Sequence, residues 1–192
     1  KAVRFDPNFD WSDVTIVQAD DVPVNVVALI AEDQPVLAAR HLNHAYEPIV
    51  LLACADKQKL LRAKEAVMLD IEPLPCIVDA EESLANATTI WGTDNVQKRY
   101  LITKGAADTE DSEAAIDAAI AACEVRVSGR YFSHHQEQLY IEPQGVIAWW
   151  DETGIHAIGS LQCPFYVHKA FLKVFGVEPG RIHITQAVTG GG

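Results

Sequence analysis

The stretch from Val146 to Gln186 constrains the fold most, because its turn and cap residues leave few ways to thread it. Val146-Ile147-Ala148-Trp149-Trp150 is an apolar run of strand length, and Asp151-Glu152-Thr153-Gly154 turns the chain towards Ile155-His156-Ala157-Ile158, predicting a hairpin. Pro164 and Gly176 then bracket a helix, since proline suits a first turn and glycine a left-handed exit. Arg181-Ile182-His183-Ile184-Thr185-Gln186 reads as one more strand. Upstream, Val125 to Tyr131 and Leu139 to Glu142 alternate apolar and polar residues, so the region as a whole reads as an antiparallel meander.

The first half alternates differently. Val14 to Val17 and Val26 to Ile30 are short β-branched or apolar runs, and Pro48 to Cys54 is a continuous apolar one, the pattern of strands buried on both faces. Asp56 stands as an N-cap before a segment with apolar residues at Leu60, Leu61 and Val67, which predicts an amphipathic helix leading into the strand Val67 to Glu72. Strand, helix and strand in that order suggest a small α/β layer. From Asp79 to Asp111 the chain is polar and lacks a sustained period, which marks a linker. The alanine-rich stretch from Ala114 to Cys123, preceded by Asp111-Ser112-Glu113, reads as a second helix.

Composition narrows the function classes. The 192 residues are 49% apolar and 22% charged, within the range of ordinary globular chains that bury a core. A formal charge of −12 disfavours a nucleic-acid or anionic-membrane surface. Cys54, Cys76, Cys123 and Cys163 lie far apart without C-x-x-C spacing, so neither a zinc site nor an iron–sulfur ligand set is readable, and a reducing, cytoplasmic setting is expected. No apolar run approaches the roughly 20 residues of a membrane span, and the start at Lys1-Ala2-Val3-Arg4-Phe5 lacks the apolar stretch of a signal peptide.

Candidate chemistry is sparse. His134-His135-Gln136-Glu137 offers imidazole and carboxylate, but in a strand His135 and Glu137 would face away from His134 and no third ligand stands at a diagnostic spacing, so a polar strand end outweighs a metal site. Glu137 and Glu142 would likewise face opposite sides of one strand, which argues against an acid/base pair. Trp149, Trp150, Tyr140, Phe165, Tyr166, Phe171 and Phe175 fall at core spacing, and Cys163 reads as a small buried residue. The terminal Thr189-Gly190-Gly191-Gly192 lacks a nucleotide-binding signature. Three consecutive glycines allow close backbone approach at a high ordering entropy, so they are expected to lead into or wrap something.

Taken together, Gln136-Glu137-Gln138-Leu139-Tyr140-Ile141-Glu142-Pro143, Ser160-Leu161-Gln162-Cys163-Pro164-Phe165 and Thr189-Gly190-Gly191-Gly192 resemble, in order and spacing, the molybdenum-binding subunit of the xanthine dehydrogenase and aldehyde oxidase family. Tyr46 to Ala53 and Leu69 to Asp79 resemble strands of that family's α/β hammerhead domain. The resemblance implies an α+β fold, with a hammerhead domain at 1–85, a linker at 86–110 and the beginning of a molybdopterin-binding domain at 111–192. It covers nearly the whole chain but only the amino-terminal part of a family subunit, with the glycine loop cut before its phenylalanine and the general-base glutamate outside the chain.

The implied activity is insertion of a water-derived oxygen into a C–H bond of an aldehyde or N-heterocycle at a molybdenum–molybdopterin centre, the cytosine dinucleotide form included. Gln162, Gly190, Gly191 and Gly192 are the implied cofactor-binding residues. No catalytic residue and no direct metal ligand is assigned. The implied partners are the remainder of the subunit, iron–sulfur and flavin subunits carrying [2Fe–2S] clusters and FAD, and a small-molecule substrate, in an oligomer without nucleic acid or membrane. The rival readings are a non-catalytic hammerhead interaction module and a hydroxybenzoyl-thioester reductase-type relative.

Overall fold

The computed structural model describes residues 2–28, 31–90, 92–100, 102, 112–134 and 136–191. Its best-packed part is a three-stranded sheet in the carboxyl-terminal third. Strands β7 (Val146–Asp151) and β8 (Gly154–Gly159) form the expected hairpin, with Trp149 opposite His156 in register. Strand β9 (Ile182–Gln186) pairs with β8 in parallel, giving the order β7-β8-β9.

Helix α4 (Pro164–Phe175) is the crossover between the two parallel strands and packs on β9. It begins and ends as its sequence dictates: Pro164 lies in its first turn, and Gly176 closes it in the left-handed region at φ 61° with its N–H donating to the Leu172 carbonyl. Ile155 and Ala157 of the central strand β8 are buried, as is Ile182 of β9, which stands beside Ile155 in register.

Among the described residues, the first half forms three two-stranded antiparallel pairs. They are β1 (Ala2–Phe5) with β6 (Val67–Asp70), β2 (Thr15–Val17) with β5 (Leu51–Ala53), and β3 (Val27–Ala28) with β4 (Glu32–Gln34). Helix α1 (Lys57–Glu65) joins β5 to β6, and its Asp56 cap accepts hydrogen bonds from the N–H groups of Gln58 and Lys59. Two short helices, α2 (Ala80–Leu84) and α3 (Ser112–Ala121), complete the set. No helix among the described residues is long and apolar enough to cross a membrane.

The strand, helix and strand around α1 do occur in the expected order, with β5 paired to β2 and β6 to β1, so α1 links two separate ladders. Several expectations need correction. The polar tract after Asp79 is not featureless. Asp79 accepts from the N–H groups of Glu81 and Glu82 and starts α2, a local signal that the hydrophobic period does not report.

The region is not an all-antiparallel meander either. Residues 125–131 and 139–142 form no strand, Leu139 sits at φ 51°, and β9 runs parallel to β8. The aromatic residues assigned to a core are mostly at the surface, with Trp150 63% and Phe165 82% exposed, while Phe171 is half-buried. Cys163 is exposed rather than buried. Apolar spacing locates a face, but only a packed neighbour buries it.

Candidate functional site

Three chain segments converge at one end of the β7-β8-β9 sheet. Gly159 closes β8 where the start of β7 comes so near that a Cβ at Gly159 would lie 2.4 Å from the Gly145 carbonyl oxygen. The Ser160 N–H donates to that same Gly145 carbonyl at 3.0 Å, and the Ala187 N–H donates to the Gly159 carbonyl at 2.8 Å. The loop into α4 and the segment leaving β9 are thereby fixed side by side, at the carboxyl ends of two parallel strands. That is the end at which sheets with parallel strands characteristically hold ligands.

A cavity of about 310 Å³ opens there, lined by residues including Glu137, Tyr140, Gln144, Ser160, Gln162 and Gly191. Gln162 and Gly191 thus face one space. Gln162 precedes Cys163, which occupies the N-cap of α4 without a side-chain cap bond. The Gln162 amide is exposed and has no hydrogen-bond partner among the described residues, leaving a donor and an acceptor available at the cavity.

The glycine segment is held from behind. The Glu142 Oε2 accepts from the Gly190 N–H at 2.7 Å and also from the Gly191 N–H. A Cβ at Gly191 would lie 2.5 Å from Cγ of Tyr140, so only glycine fits against that ring. The Tyr140 hydroxyl in turn accepts from the Gln144 Nε2 at 3.0 Å. Thr189 turns the segment by donating to the Ala187 carbonyl at 3.1 Å and accepting from the Gln186 Nε2.

Of the four residues implied as cofactor-binding, Gln162 and Gly191 line the cavity, Gly190 is bonded to Glu142 and is not among the lining residues, and Gly192 lies outside the described residues. Residue-by-residue reading missed Glu142, because it placed Glu142 and Glu137 in one strand on opposite faces. The segment is irregular, and Glu142 reaches a partner 48 residues away in sequence. Tyr140, Gln144 and Ser160 were also missed; their polar type was visible but their convergence was not.

Among the described residues no three His, Cys, Asp or Glu side chains gather as a metal-holding group; His135 lies outside them, and the ring of His134 packs edge-on against Phe132. A second, shallower hollow of about 550 Å³ beside α1 is lined by residues including Asp10, Lys59 and Arg62, and Lys59 is already paired with Asp10 at 2.9 Å.

Residues 95–192 match the family model described as the molybdopterin cofactor-binding domain. The nicotinate dehydrogenase large molybdopterin subunit of Eubacterium barkeri is 24% identical over 170 residues, which cover 88% of this chain and 38% of that protein. The xanthine dehydrogenase molybdenum-binding subunit of Escherichia coli O157:H7 is 24% identical over 158 residues, covering 81% of this chain and 20% of that protein.

The solved structure of the aldehyde oxidoreductase from Desulfovibrio gigas superposes with a TM-score of 0.73 at 20% identity, over 94% of this chain and 21% of its own, a likeness of fold. The chain therefore spans well under half the length of these relatives. Since the family match runs through the whole cavity-forming region, the chain belongs to the molybdopterin cofactor-binding domain family, with the molybdenum-binding subunits of xanthine dehydrogenases and aldehyde oxidoreductases as its relatives.

Proposed function

We propose that this chain forms part of a molybdenum hydroxylase subunit that oxidises an aldehyde or an N-heterocycle with water as the oxygen source. In this reading the cavity between Gln162 and Gly191 is one wall of the pterin site. The observation that carries it is the convergence of those two residues on one space, with the Gln162 amide left without a partner among the described residues.

The residues present suit the uncharged ring system of a pterin. The lining is mainly neutral amide, hydroxyl and backbone, which can meet the mixed donors and acceptors of a pterin edge, and its volume of about 310 Å³ lies within the usual range for small-molecule sites. Bound there, the molybdenum–molybdopterin group supplies the two-electron oxidation and the transfer of a water-derived oxygen. Gln162 orients a polar edge of that group with its amide, and Ser160 and Gln144 offer further hydrogen bonds along the same wall. Tyr140 backs the glycine segment and keeps it from collapsing into the space.

The first part of the chain is then a hammerhead domain within residues 1–85, joined by a linker at 86–110 to the cofactor domain at 111–192. In this reading [2Fe–2S] clusters and FAD, on partner subunits or domains of a cytoplasmic oligomer, would take up the electrons.

Gln162→Ala in the cofactor-loaded enzyme tests the reading. Loss of a hydrogen bond to a strongly polar group felt only in the transition state lowers turnover by roughly ten- to a hundredfold. Turnover is to be normalised to bound molybdenum and measured beside the thermal midpoint. An unchanged normalised turnover with a lowered midpoint would return Gln162 to a purely structural role.

A further inference from the structure

We infer that Glu142 is a positioning residue for the cofactor wall: its carboxylate holds the backbone N–H groups of Gly190 and Gly191, so the glycine strip meets a ligand with its Cα and carbonyl face. The inference rests on the functional reading above and deepens it.

Both amides converge on one oxygen, Oε2 of Glu142. Charge-assisted bonds of this kind are stronger than neutral ones, and two N–H donors spent on an internal carboxylate are not available to an external phosphate or carboxylate. Among the described residues, the cavity lining includes no cation that could draw such an anion in their place, and the one charged side chain there, Glu137, is itself acidic. A bound group is therefore selected on this wall for neutral, planar, hydrogen-bonding character, and the anionic arm of a pterin is held elsewhere.

Two local features pre-set the arrangement. Pro143 restricts the backbone of Glu142 to extended conformations, which limits where its side chain can reach. Tyr140, two residues earlier, presses its ring on Gly191 so closely that any Cβ there would displace it. One short segment thus grips the glycines twice, by the ring of Tyr140 and by the carboxylate of Glu142. Without this grip a run of glycines has the highest conformational entropy the chain can offer, and a ligand would have to order it on binding.

The test compares Glu142→Ala and Glu142→Gln with wild type in the cofactor-loaded enzyme, by amide exchange resolved to single residues and by pterin and molybdenum content per folded chain. In Glu142→Ala, exchange at Gly190 and Gly191 should accelerate by roughly ten- to a hundredfold while β8 keeps its protection, and cofactor content should fall. Glu142→Gln keeps an acceptor oxygen without the charge and should restore most of both, which also serves if the alanine variant fails to fold. Unchanged glycine exchange in the variants, or faster exchange with undiminished cofactor content, would overturn the inference. Wild-type enzyme purified without any molybdopterin would instead sink the functional reading and leave the exchange comparison intact.

Discussion

At the scale of single residues, short polar side chains set the backbone of this chain and are themselves shifted by doing so. Asp10 accepts from the Ser12 N–H at 3.0 Å and from the Lys59 Nζ at 2.9 Å. The Ser12 hydroxyl, then the Lys59 ammonium and the Ser12 amide, hold its carboxyl at about 2, below the ordinary 3.8. A carboxylate depressed in the folded state stabilises that state above its unfolded value and loses this contribution as pH falls through its folded value. Asp10 therefore supports the fold above about pH 4 and ceases to do so towards pH 2. Replacing it with Asn should make the fall of the unfolding midpoint between pH 4 and 2 shallower than in wild type, as read by denaturant titrations at stepped pH. A slope equal to that of wild type would show that the Asp10 contacts are not maintained in solution.

The β7-β8 hairpin shows at the scale of an element why one glycine is required. Asp151 organises the turn: it accepts from the Thr153 N–H at 2.8 Å, the Thr153 hydroxyl at 2.6 Å and the Gly154 N–H at 3.3 Å, and it pairs with the His156 imidazole at 3.0 Å. The Thr153 hydroxyl first, with the Thr153 amide and His156 adding to it, holds the Asp151 carboxyl far below its usual range. Gly154 sits at φ 140°, and a Cβ there would lie 2.0 Å from the Arg181 carbonyl oxygen. That carbonyl belongs to the 3-10 turn Pro179–Arg181, which delivers the chain into β9. Gly154→Ala thus combines a strained backbone with a backbone clash, and should cost about 2 kcal/mol or more of stability. Thermal unfolding beside Gly180→Ala, a site with open space around it, checks this: the control should change little.

Over the whole molecule, the amount of apolar surface left uncovered stands out. The chain exposes 15584 Å², against about 9,000 Å² for a compact monomeric protein of its mass. Every residue of β7 is exposed, and Trp149, Trp150, Ile147 and Phe165 are among the large apolar side chains at the surface. Surface of this kind exceeds what monomeric soluble proteins tolerate. The 192-residue chain on its own should therefore self-associate and bind an apolar dye. Sizing by light scattering and dye fluorescence test this together; a monodisperse monomer with a sharp cooperative transition would contradict it.

What the sequence determined by itself is what depends on neighbours along the chain. The Asp56 cap of α1, the Pro164 and Gly176 ends of α4, and the Asp151–Gly154 turn were all legible, because each is set by bonds spanning a few residues. The resemblance of the Gln162 and glycine blocks was legible as well, since it is carried by residue order. Tertiary structure decided the parallel pairing of β9 with β8, the separation of β5 and β6 into different ladders, and the exposure of the aromatic residues. It also decided that Glu142 closes on the glycine amides and that Gln162 and Gly191 share a cavity. These contacts join segments far apart in sequence, and their formation depends on which apolar faces find partners after chain entropy is lost, a competition that no local pattern encodes.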